Sequence, residues 1–148
     1  MTKKLSITAF LVLFSVLISF GGKTHPNQGL IIGRWKPVQV ERILPEKKAG
    51  SDTTKAMTKP DEKLERAIRA EERAPLDILP DYTATKTYHK NVVTFKWKLK
   101  GKGTKLIARN TKTYEKHILK VVEVKEDKLV LIETLGAVQL KVTYVRDK

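Results

Sequence analysis

Three histidines, at positions 25, 89 and 117, are the side chains best suited to acid–base or metal chemistry, and their spacing favours neither. Two ligands on one face of a strand or helix need His-x-His or His-x-x-x-His, and neither occurs, so no metal site is expected. No Gly-x-Ser-x-Gly elbow is present. Gly101-Lys102-Gly103 is too short for a phosphate loop and lies between strands rather than ahead of a helix. Asp61, Glu62, Glu65, Glu71 and Glu72 alternate with Lys and Arg along a predicted helix. They read as solvated carboxylates of ordinary ionisation and offer no acid/base pair of split pKa. The absence of Cys removes disulfides, thiolate metal sites and thiol nucleophiles. The sequence therefore predicts no catalytic residues and no cofactor: a binding protein rather than an enzyme.

What chemistry remains is charge. The formal net charge is +14. Residues 44–81 carry 8 basic and 9 acidic side chains, whereas residues 82–148 carry 16 and 6. No acid lies between Asp81 and Glu115. Within that interval Lys96, Lys98 and Lys100 alternate along one side of a predicted strand, joined by Lys102 and Lys105. A field of one sign attracts anionic glycans, anionic lipid or nucleic acid, and also serves plain solubility. Nucleic acid is the least expected of these partners, because aromatic stacking platforms are few on the basic side.

The strand that carries this row, residues 92–99, organises the chain. Val93, Phe95, Trp97 and Leu99 fall on one face, and Thr94, Lys96 and Lys98 on the other, giving one dry and one wet, basic face. Similar strands follow the hairpin at Lys100-Gly101-Lys102-Gly103, whose glycines are free to take positive φ. Residues 104–109 return and 113–124 form a long strand. Its apolar parity slips between Val121 and Val122, which predicts a bulge near 120–122. Residues 128–134 are apolar on both faces. Val138, Leu140, Val142 and Tyr144 alternate cleanly at the end. Residues 83–89 precede the central strand.

Upstream, residues 32–42 read as a strand kinked near Pro37, which cannot donate to a ladder. Residues 44–81 read as an insertion. Thr58, Pro60 and Asp61 mark a helix start, Glu62–Arg66 and Glu65–Arg69 are favourable i, i+4 pairs, and Pro75 and Pro80 end the helix after about 14 residues. Its apolar stripe of Leu64, Ala67 and Ile68 is narrow, as for a solvated connector or a lid. Residues 1–22 have a basic start, an apolar run of 16 residues and small residues at the exit, the layout of a secretory signal. An uncleaved membrane anchor is the alternative. Residues 23–30 read as a linker. An exported protein, periplasmic or secreted and without the Cys that lipid attachment needs, is the expected setting.

About seven short antiparallel strands in a meander predict a mainly β fold, a small up-and-down barrel that closes on itself or, with its strand count short of eight, stays partly open. The pattern is similar to the lipocalin-like domain proteins exported by Bacteroidetes. It is carried by Ile32-Gly33-Arg34-Trp35, by Thr94 to Leu99 with Gly103-Thr104-Lys105-Leu106, by Lys125 to Leu131, and by Thr143-Tyr144-Val145-Arg146. The resemblance implies that Trp35 closes one end of the barrel with Arg146 packed across its ring. It also implies a small apolar ligand, lined by Phe95, Trp97, Leu106, Leu119, Leu129, Leu140 and Tyr144. The long insertion, the low strand count and the missing Cys are departures from that family. The second expectation is a polyanion- or surface-binding protein that uses the basic face at 86–112.

Overall fold

The computed structural model describes residues 25–43, 62–136 and 138–148. The signal-like segment and the helix-start residues Thr58, Pro60 and Asp61 lie outside them. Eight antiparallel strands close into a barrel in sequence order: β1 (Gly33–Ile43), β2 (Leu76–Ile78), β3 (Thr83–Tyr88), β4 (Asn91–Lys100), β5 (Lys105–Asn110), β6 (Lys116–Val124), β7 (Lys128–Leu135) and β8 (Val138–Arg146). Helix α1 (Pro26–Ile31) precedes β1, and α2 (Glu62–Glu71) lies between β1 and β2. No helix among the described residues is long and apolar enough to cross a membrane.

The up-and-down barrel is as expected, and of the two forms, closed and partly open, it takes the closed one, because an eighth strand joins the seven legible in the sequence. Leu76-Asp77-Ile78, between Pro75 and Pro80, is too short to show alternation. It nonetheless bridges β1 and β3, pairing Leu76 with both Trp35 and Lys86. The β1–β8 ladder then completes the ring and leaves no edge to pair with other chains.

Two register shifts keep the apolar side chains inside. In β1 the shift falls between Pro37 and Gln39, where Val38 bulges outward and Val40 turns back to the core. In β6 it falls between Val121 and Glu123, as the parity slip predicts, and Val122 is the exposed extra residue. A bulge adds one residue to one strand and so resets which face its successors occupy. In the β4–β5 hairpin Gly101, Lys102 and Gly103 all take positive φ (59°, 55° and 82°), a left-handed path that glycine adopts without strain.

The predicted linker contains α1, six residues long, with Pro26 in its first turn and the His25 ring nitrogen accepting from the Asn27 amide at 3.1 Å. Ten residues of helix α2 lie among the described residues, ending at Glu71 ahead of Pro75. Glu62 pairs with Arg66 at 3.2 Å as expected, but Glu65 reaches Arg42 of β1 instead of Arg69.

Candidate functional site

At one end of the barrel the structure builds a plug from the Gly-x-Trp segment. Trp35 is fully buried, its indole N–H donates to Ile31 O at 2.8 Å, and the Arg146 guanidinium carbon lies 4.4 Å from the ring centroid. Arg146 also donates to Leu30 O (2.8 Å), Ile32 O (2.9 Å) and Glu126 O. It thereby satisfies carbonyls that the end of α1 leaves orphaned. Gly33 sits at φ 147°, and a Cβ there would collide with Arg146 Nη1. The glycine, the tryptophan and the arginine form one structural unit.

Further along the interior lies a cavity of about 70 Å³. Five of the seven expected lining residues, Phe95, Trp97, Leu106, Leu119 and Tyr144, border it. Leu129 and Leu140 do not; both are fully buried as packed core. The space is small. An apolar cavity of about 150 Å³ takes a benzene, and most ligand pockets exceed about 300 Å³. In this conformation the interior is largely filled by side chains, as a barrel of eight strands permits.

One part of the cavity wall is polar, which the sequence reading missed. Lys86 of β3 and Glu71 of α2 are only 6% and 5% exposed, and they form an ion pair. Tyr88 donates its hydroxyl to the second oxygen of Glu71 at 2.7 Å. Glu133 of β7 lies 3.8 Å from the Lys86 ammonium and 3.9 Å from His117. His117 is half-buried and meets the Phe95 ring edge-on, centroids 5.8 Å apart. Burial acts to lower the Lys86 pKa, but Tyr144, Glu71 and Glu133 outweigh it, so the ammonium is held charged well above its ordinary range. Burial pushes Tyr144 up to about 12 and Tyr88 higher still. Burial, with Glu71 nearby, also raises Glu133 against the pull of Lys86. Glu71 is thus no solvated helix carboxylate. The available signal was parity: Lys86 shares its strand face with Ala84 and Tyr88, not with the threonines.

The second candidate site is the outer surface of β4, β5 and β6. The register places Lys96 opposite Arg109 and Arg109 opposite Lys116. Two residues along, Lys98 faces Ile107, which faces Ile118; two further, Lys100 faces Lys105, which faces Lys120. Seven exposed cations thus surround two isoleucines. Of the five lysines expected here, Lys96, Lys98, Lys100 and Lys105 belong to the rows, while Lys102 stands at the hairpin tip. Arg109, Lys116 and Lys120 are additions that only the register identifies. None of the seven makes an ion pair among the described residues. Like charges directly opposite on adjacent strands, about 5 Å apart, destabilise a sheet.

Among the described residues no group of three or more His, Cys, Asp or Glu is placed to hold a metal. The chain matches no protein-family model, no curated protein and no solved structure.

Proposed function

We propose that the protein is an exported, non-catalytic binding barrel whose principal ligand is an anionic glycan, held through sulfate or phosphate groups on the outer face of β4–β6. The observation that carries this reading is the pair of like-charge rows, Lys96–Arg109–Lys116 and Lys100–Lys105–Lys120. Solubility alone is served by interspersed charges of both signs. Rows of one sign across three adjacent strands cost folding free energy, and a polyanion removes that cost on binding. Elsewhere the surface alternates: Lys141 meets Glu41 at 3.2 Å, and Arg34 meets Asp77 at 2.9 Å.

The test is a titration of heparin, as a sulfated probe, across ionic strength. Wild-type affinity falls steeply with salt, because each engaged cation releases counterions. The triple variant Lys96→Glu/Lys98→Glu/Lys100→Glu loses at least tenfold in affinity and melts no lower than wild type, since repulsion has been relieved. Lys36→Glu on the outer side of β1 leaves binding unchanged. Equal heparin affinity in the triple variant rejects the reading, and a preference for single-stranded DNA over heparin moves the ligand class to nucleic acid.

A second reading is supported by the convergence of five expected lining residues on the internal cavity: a small, largely apolar ligand taken up inside the barrel. At about 70 Å³ that space needs enlargement before it holds such a ligand.

A further inference from the structure

The buried ion pair marks where that enlargement would come from. Apart from this cluster the interior is apolar, and Leu129, Leu131, Leu140 and Val142 pack without polar groups. A lysine and a carboxylate inside such a core are a poor way to gain stability, because desolvating both ions offsets most of their attraction. The carboxylate does not come from the barrel wall. It comes from α2, whose own hold is slight. Among its described residues Ile68 and Glu71 are buried and Leu64 is half-buried, a thin apolar face for a helix whose stability comes mostly from packing.

The contacts to Glu71 have the form of a carboxylate receptor. One oxygen takes the Lys86 ammonium and the other the Tyr88 hydroxyl. Both donors also border the cavity, whose nearby wall is Leu76, Ile78, Ala84, Phe95 and Trp97. Moving the carboxylate of Glu71 out would leave a cation, with Glu133 still 3.8 Å from it, and a hydroxyl donor at one end of a mostly apolar chamber. Replacing it with another carboxylate conserves the charge, so the exchange is decided by apolar burial: a ligand chain in the cavity against Ile68 and Leu64 on the barrel.

We propose that Lys86 and Tyr88 form an internal site for a small single-chain carboxylate amphiphile, and that Glu71 of α2 occupies the place of the ligand's carboxylate in the free protein. The proposal rests on the second reading above and is independent of the basic outer face. A site covered by its own helix binds with an apparent affinity reduced by the fraction of time it is uncovered, so loosening the helix tightens binding.

The experiment titrates octanoate, with octanol as the uncharged control, by calorimetry and by the fluorescence of Trp97 in the cavity wall. Glu71→Ala binds octanoate at least tenfold tighter than wild type, with a smaller gain for octanol. Lys86→Met retains octanol and loses the preference for octanoate. Should Glu71→Ala not fold cooperatively, Ile68→Ala loosens α2 with every charge in place, and the same gain is expected of it. Octanoate binding that is no tighter in a folded, loosened variant than in wild type overturns the proposal. Octanol and octanoate gaining equally overturns the carboxylate site and leaves the cavity reading standing. No binding of either compound by any folded variant overturns both.

Discussion

The Trp35 end and the α2 end of the barrel interior each set one cationic side chain beside an aromatic ring, half-buried Arg146 at the first and buried Lys86 at the second, but they assemble it in opposite ways. Arg146 lies across Trp35 and gives its donors to backbone carbonyls of Leu30, Ile32 and Glu126. Those partners are fixed by the fold and carry no formal charge. Lys86, beside Tyr88 and Tyr144, is neutralised by carboxylates, one of them from a helix that is only lightly docked. The first arrangement cannot be undone without unfolding the end of the barrel. The second is held by a group that another carboxylate can replace. A barrel built in this way is rigid where its chain ends meet and exchangeable where its insertion covers it.

The largest expected effect breaks the rigid end. Trp35→Ala removes the largest fully buried side chain and the surface on which Arg146 lies. A buried Trp→Ala substitution costs about 3–5 kcal/mol, a large share of the 5–15 kcal/mol that keeps a domain folded. Thermal denaturation should show a melting temperature about 10 °C or more below wild type. An unchanged melting curve would remove Trp35 from the role of closing the barrel. No second substitution restores the loss, because what is missing is volume.

The α2 end should respond differently. Lys86→Met leaves two buried carboxylates without their cation, a loss of about 3–5 kcal/mol. Here a second substitution partly repairs the first: Lys86→Met/Glu71→Met removes one of the two unpaired charges, leaving Glu133, and part of the stability returns. The double-mutant cycle in denaturant is the measurement. Additive losses would mean that Lys86 and Glu71 act separately, and the contrast between the two ends would fail.

The two ends also differed in how far they could be read from the chain. Gly33, Trp35 and Arg146 were legible because a sequence motif carries them, and the structure supplies the reason in the collision that any Cβ at position 33 would meet. Strands β4, β5, β6 and β8 were legible by alternation, β7 by its apolar residues on both faces, and the β6 bulge by its slip in parity. Strand β2 was not, since three residues between prolines cannot display a period, and without it the ring looked incomplete. Lys86 and Glu71 were not legible either. Each resembles an ordinary surface charge on its own element, and only the packing of α2 against the barrel brings them together. The outer cationic rows were half legible: the lysines of β4 stand out, but their alignment with Arg109, Lys116 and Lys120 is a matter of register.

A smaller effect would sharpen the comparison through pH. Glu133 is the carboxylate of the cluster whose pKa is raised, chiefly by burial and further by Glu71, with Lys86 and His117 pulling the other way. A carboxyl whose folded pKa lies above its unfolded value favours the protonated folded form. Its contribution to stability is fully present below the unfolded carboxylate range and is lost as pH rises through the folded pKa. Glu133→Gln keeps the shape and removes the titration. The variant should therefore melt above wild type at pH 8, and the difference should shrink towards zero near pH 4. Repeating the pair in a His117→Asn background removes the imidazole that also faces Glu133, so a slope that survives there does not come from that ring. A difference that stays flat with pH would place Glu133 among ordinary surface acids. The Trp35 end predicts no such slope, since the partners of Arg146 there are an indole ring and backbone carbonyls, not carboxyl groups. Trp35→Phe should accordingly shift the whole melting profile by a constant amount, which sets the two ends apart by a pH dependence as well as by repair.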